Sequence, residues 1–280
     1  MVLKTILDRI DALRPAPPTV AVLPLSGVIG SVGPARRGLN VGALADPIDR
    51  AFKLRNLKAV ALAINSPGGS PVQSSLIHRR IRALAAEKAV PVIAFAEDVA
   101  ASGGYWLALA ADEIFADENS IVGSIGVIYA GFGLQNLIER VGIERRLHTS
   151  GERKSMLDPF RAEKPEDVER LKVLQAEIHE SFRTLVRERR RGKLKATEDV
   201  LFSGEFWTGR RAQALGLIDG LGDLRSVMRA RFGEDVRLRV VKAERGWLRA
   251  IMRQETARPA WGEDIIAAVE ERLLWSRYGL

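Results

Sequence analysis

The sequence contains no cysteine. Disulfides, thiolate metal sites and a cysteine nucleophile are therefore excluded. Histidine is almost as scarce. His78, His148 and His179 are scattered, and no metal-ligand spacing joins them, so neither a metal nor another cofactor is expected. Aromatic residues make up 6% of the chain and are not interleaved with basic ones in the manner that stacks bases. The net charge of +8 is spread out, apart from Arg187–Arg191 and the arginines after Arg225, so nucleic acid is not an expected partner. No apolar run reaches the ~18–20 residues that span a bilayer. Asp8, Arg9 and Asp11 interrupt any apolar region of a secretory signal. The expectation is a cytoplasmic protein, with peripheral membrane contact as the functional use of an amphipathic helix at residues 2–13.

What is present is ordinary for a soluble globular chain of 280 residues: 46% hydrophobic and 28% charged. One stretch organises it. The apolar, β-branched run Val90–Ala96 reads as a buried strand, a short turn follows, and Ser102-Gly-Gly104 opens a helix-forming run, Tyr105–Ala111. Such a serine projects from a helix start where unpaired N–H groups gather. The two glycines let a substrate backbone approach. A simple helix cap is the plain alternative for Ser102.

Around this stretch the chain alternates strands and helices. Strands are expected at Val20–Leu25, Lys58–Asn65, Glu113–Ala116, Ile121–Ile128, Ile143–His148 and Arg237–Val241. Helices are expected at 42–56, 71–87, Gln135–Val141 and from Pro165 to about Arg190. Gly27–Gly38 reads as irregular, and two amphipathic patterns broken at Pro259 fill 246–280. This order predicts an α/β fold with mostly parallel strands. Residues 1–18 read as a helix and a proline-rich linker, 19–230 as the main domain, and 231–280 as a strand with a helical tail. Val168, Leu171, Leu174, Ile178, Phe182 and Leu185 share one face of the long helix, a packing or oligomer face. Asn65-Ser-Pro-Gly-Gly69 ends a strand before a helix that Ser70 caps and Pro71 begins.

Taken in order, Asn65-Ser-Pro-Gly-Gly69, Ala101-Ser-Gly-Gly-Tyr105, Gly123-Ser-Ile-Gly-Val127, Ser150-Gly-Glu-Arg-Lys-Ser155, Trp207-Thr-Gly-Arg-Arg-Ala212 and Gly216-Leu-Ile-Asp219 resemble the signal peptide peptidase A family of serine peptidases, including its SohB-like short forms. The resemblance spans about residues 20–225. Glu205 departs from the arginine many members carry there. The resemblance implies a crotonase/Clp-protease-like fold of stacked βαβ units with flanking helices. It implies Ser102 as nucleophile, Lys154 as general base, and Gly68 and Gly103 as oxyanion-hole donors, with Ser150 or Ser155 orienting the lysine. It also implies peptide substrates, such as signal-peptide remnants or unfolded membrane-derived segments. A homo-oligomer is implied too, with an octameric ring favoured.

A serine hydroxyl needs a base, and lysine serves only when neutral, which a dry surrounding favours. Lys154 is therefore expected in a poorly hydrated pocket, with Glu152 and Asp158 pointing away. Two alternatives stay open at the level of sequence: an acyl-CoA enzyme on the same fold, and a catalytically inactive oligomeric scaffold.

Overall fold

A computed structural model describes residues 17–30, 38–242 and 261–280. The expected helix at 2–13, most of the proline-rich linker, the centre of the glycine-rich loop and the first tail pattern lie outside the described residues. The chain runs β1 (Thr19–Ser26), α1 (Val41–Ala51), β2 (Leu57–Ser66), α2 (Pro71–Lys88), β3 (Val92–Ala101), α3 (Gly103–Ala108), β4 (Glu113–Ala116) and β5 (Ile121–Gly123). It continues with α4 (Gln135–Arg140), α5 (Pro165–Arg189), α6 (Glu198–Leu201), β6 (Phe206–Thr208), α7 (Gly209–Ala214), β7 (Gly220–Leu221), α8 (Leu224–Phe232), β8 (Arg237–Val240) and α9 (Trp261–Ser276).

The strands form one sheet ordered β6-β5-β3-β2-β1-β8, with β4 joining β3 and β7 beyond it. Every pairing is parallel except β5 with β6. Parallel strands need long crossovers, which the intervening helices supply. Both faces of β2 are consequently covered, and its residues 59–64 are all buried. Alternate side chains separate two cores. Leu23, Leu62 and Ala94 face α1, α2 and α3, whereas Val22, Ala61 and Phe95 face α8 through Met228. Because β8 pairs with β1, residues 237–240 belong to this sheet, and the expected division at residue 230 falls inside α8.

The strand that leads to Ser102 is longer than its apolar run suggests. On β2 the pairing advances two residues, from Ile64 to Ser66, while β3 advances four, from Ala96 to Ala100. Glu97 and Asp98 bulge into solvent there. Residues 93–96 pair with β4 and 99–101 with β5, so the bulge turns β3 from one neighbour to another. Asn65 holds the bulge from β2: its amide nitrogen donates to Asp98 Oδ2 at 2.6 Å, and its oxygen accepts from the Val99 N–H at 3.3 Å.

Two expected strands differ. β5 stops at Gly123 because Gly123 (φ 114°) and Ser124 (φ 53°) leave extended geometry. Residues Ile143–His148 form no strand among the described residues, since no neighbouring strand pairs with them. They lie on an exposed arm between β5 and α5 whose short helix α4 has no buried residue.

A buried ion cluster ties α5 to the sheet. Arg190, 2% exposed, donates to Gly216 O at 2.8 and 3.0 Å and to Asp219 Oδ2 at 2.6 Å. Asp219 also accepts from Lys193 Nζ and the Ile114 N–H. Burial raises the Asp219 carboxyl, but the Arg190 and Lys193 bonds outweigh it and hold the group below its ordinary range. A depressed carboxyl contributes stability above its unfolded pKa and loses it only as pH falls through the folded value. Asp219→Ala leaves the Arg190 charge buried without its partner and is expected to destabilise the fold by ~3–5 kcal/mol. Calorimetry checks this as a melting temperature lowered by roughly 10 °C at neutral pH.

Candidate active site

Ser102 sits where β3 passes directly into α3, with φ 52° and ψ −121°. A non-glycine residue held in such a region costs ~1–3 kcal/mol and persists only where its surroundings enforce it. They do so here: the Ser102 N–H donates to Gly123 O at 2.8 Å, and its carbonyl accepts from the Trp106 N–H at 3.0 Å. A capping serine would accept a bond from an N–H in the first helical turn. Ser102 makes no such bond. Its hydroxyl is half-buried and takes part in no hydrogen bond among the described residues.

Facing it is the loop after β2. Gly68 (φ 105°) lies so close that a Cβ there would fall 2.7 Å from Ser102 Cβ, 3.0 Å from Ser102 Oγ and 2.8 Å from the Gly103 nitrogen. Glycine is therefore required on both conformational and steric grounds. Ile29 pins the loop: its N–H donates to Gly68 O and its carbonyl accepts from the Ser70 N–H, each at 2.8 Å. On the other side Gly103 packs against α2, where a Cβ would meet Ser74 Oγ at 2.6 Å. The Gly103 N–H opens α3 and has no intrahelical acceptor. The Gly68 N–H has only the Ser66 hydroxyl, at 3.3 Å. Ser102, Gly68 and Gly103 thus converge, with two main-chain donors close to a free hydroxyl.

No hydrogen bond or ion pair joins Lys154 to them among the described residues. It lies exposed in the turn that follows the arm, its N–H on Gly151 O at 3.2 Å, and none of the described ion pairs includes it. The described residues form no dry pocket around it. Ser150 is exposed and Ser155 half-buried in the same turn. The Asp158 carboxylate is engaged elsewhere, by the Phe160 N–H and by Arg145 at 3.3 Å. No histidine substitutes for the lysine among the described contacts. His78 is buried under α3, where desolvation, then Arg189, pushes its pKa down to about 4, and His179 meets Ile125 O.

Sequence reading missed Ile29, because Gly27–Gly38 looked irregular. The apolar pair Val28-Ile29 inside that loop was the available signal. It also missed that Asn65 and Asp98 brace the bulge. Nothing in a linear pattern announces a pairing across 33 residues.

The chain is similar to known proteins. The profile of peptidase family S49 matches residues 84–236. The Na(+)/H(+) antiporter NhaA of Brucella abortus is 48% identical over 99% of this chain, which spans only 39% of that protein. The chloroplastic serine protease SPPA of Arabidopsis thaliana is 35% identical over 71% of the chain, covering 29% of its own length. Among solved structures, the 1510-N membrane-bound stomatin-specific protease aligns over 82% of this chain and all of its own, with TM-score 0.50 and 16% identity. That likeness supports the fold, the crotonase/Clp-like arrangement of S49 proteases. Since the profile covers more than half of the chain and takes in the whole turn around Ser102, this protein belongs to peptidase family S49.

Proposed function

We propose that the protein is a serine endopeptidase in which Ser102 is the nucleophile, Lys154 the general base, and the Gly68 and Gly103 N–H groups the oxyanion hole. The observation that carries the reading is the uncapped Ser102 hydroxyl, held in a strained conformation against Gly68. In this mechanism Ser102 Oγ attacks a peptide carbonyl carbon and its proton passes to the lysine amine. The tetrahedral oxyanion lies between the two glycine N–H groups, each such donor contributing ~3–4 kcal/mol. Collapse breaks the C–N bond, and the lysine returns the proton to the leaving amine. Water then hydrolyses the acyl-serine by the same proton path. Ser150 or Ser155 orients the lysine. Peptides and unfolded segments, signal-peptide remnants among them, are the substrates.

The exposed position of Lys154 belongs to the same reading. The arm carries Ile128, Tyr129, Phe132, Leu137, Val141 and Ile143, all more than half exposed. Val173 and Leu174 on the outer half of α5 are exposed as well. An apolar surface of that kind is a protein contact in waiting. We infer a homo-oligomer, in line with the ring of eight that the family resemblance implies, in which the arm of one copy packs over the groove of the next and its lysine is dried by that contact. Light scattering at micromolar concentration tests this, and a monomer overturns it.

Labelling by a fluorophosphonate tests the nucleophile. The adduct is expected on Ser102, alongside hydrolysis of an unstructured peptide, and an adduct on any other serine overturns the assignment. Gly68→Ala should lower kcat by about 10²–10³-fold, the loss typical of an oxyanion donor. The overlap with Gly103 N and Ser102 Oγ acts at the reacting atoms, so KM should move little.

A further inference from the structure

The segment at the end of α9 packs beside the strand end that leads to Ser102 and the loop that leads to Gly68. Tyr278 is buried among Val99, Ala101 and Ile121, with Trp275 beside them. Ala101 is the residue before the proposed nucleophile. The Tyr278 hydroxyl donates to Pro67 O at 3.4 Å, and Pro67 is the residue before Gly68. Phe206 closes the pocket edge-on, with ring centroids 5.0 Å apart. Two residues further on, Leu280 lines a cavity with Glu97, Asp98, Asp117 and Asp223 on the far side of the β3 bulge. One short segment therefore follows the end of β3 from the oxyanion loop to this cavity.

Its hold on the body is slight. Val269, Leu273 and Leu280 are each about half exposed, and the Tyr278–Pro67 bond is long. A segment with few buried contacts opens at low cost. A structural cap would be tied down along its length, whereas in this segment Tyr278 is the one buried side chain among the described residues from 268 on, with Trp275 partly buried beside it.

We propose that Trp275–Leu280 is a self-bound occupant of the substrate groove, which a peptide must displace, and that the Tyr278 pocket receives a large aromatic side chain of that peptide. The proposal rests on the reading of Ser102 as the nucleophile for its consequence on rate, but not for the binding itself.

Two measurements on the full chain test it. Tyr278→Ala removes the anchor and should raise both the Ser102 labelling rate and kcat/KM for an aromatic-containing peptide by about tenfold, whereas Tyr278→Phe, which keeps the ring, should stay near the parent. Independently, a fluorescent synthetic peptide of residues 272–280 should bind Tyr278→Ala and the Ser102→Ala/Tyr278→Ala double variant, read by anisotropy, and bind the parent at least about tenfold more weakly because its groove is filled. Equal binding to parent and variant, or binding to neither, overturns the proposal while leaving the serine assignment standing. Selective peptide binding with no labelling of Ser102 in any variant supports the occupied groove and removes the nucleophile instead.

Discussion

Ser102→Ala is expected to abolish peptide hydrolysis, by about 10⁴-fold or more, because in the proposed mechanism the nucleophile acts as one unit with its base and its loss is not shared out among the remaining groups. The fold should survive. The hydroxyl makes no described hydrogen bond, so its removal leaves no buried partner unsatisfied. Circular dichroism and the melting temperature should match the parent. Ser102→Gly separates the chemistry from the conformation. It is equally inactive, but glycine adopts φ 52° without steric cost and should recover part of the strain, ~1 kcal/mol, seen as a melting temperature raised by about 2–4 °C. A glycine variant more stable than the parent would show that the strained turn is kept for a reason other than stability. An active alanine variant would remove Ser102 from the mechanism.

The turn was legible because its signals are local. An apolar β-branched run, small residues and Ser102-Gly-Gly104 lie within fifteen positions, and each dictates backbone geometry by itself. The Asn65–Gly69 loop was legible for the same reason. What the sequence concealed depends on partners distant along the chain. β3 continues past Glu97 and Asp98 because β5 and Asn65 receive it, although two adjacent carboxylates look like a strand end. Conversely, Ile143–His148 alternates as an edge strand should, and finds no strand to pair with among the described residues. The long helix shows both outcomes on one face. Phe182 is buried against Trp106, with ring centroids 4.6 Å apart, while Leu174 about two turns earlier in the pattern stays exposed. Periodicity identifies a face but not what covers it, and the arm and outer α5 are faces that none of the described residues covers. Arg190 lies in a run noted in the sequence only for its charge, yet it is among the most buried side chains, because Gly216 and Asp219 converge on it from the loop between α7 and β7.

Lys154→Arg is expected to be as damaging as loss of the serine, since arginine keeps both charge and length but cannot give up its proton at any pH where the protein is folded. Retained activity in that variant would remove the lysine from the mechanism. The exposed position of Lys154 makes a sharper test available. If base and nucleophile meet between copies, a Ser102→Ala chain still carries a sound lysine and a Lys154→Arg chain a sound serine. Mixing the two inactive proteins under conditions that let copies exchange should then restore activity. In a closed ring each site joins the serine of one copy to the lysine of the next, so an equal mixture pairs two sound residues in roughly a quarter of the sites. The recovered kcat should approach that fraction of the parent value with KM unchanged, because the recovered sites are themselves wild type. If both residues came from one chain, every site in the mixture would lack one of them and no exchange would restore turnover. The exposed apolar arm supplies the physical reason to expect recovery. Phe132, three-quarters exposed, and its neighbours would be buried by the same contact that seats the lysine, so assembly and activity should be lost together when Phe132 is replaced by a charged residue.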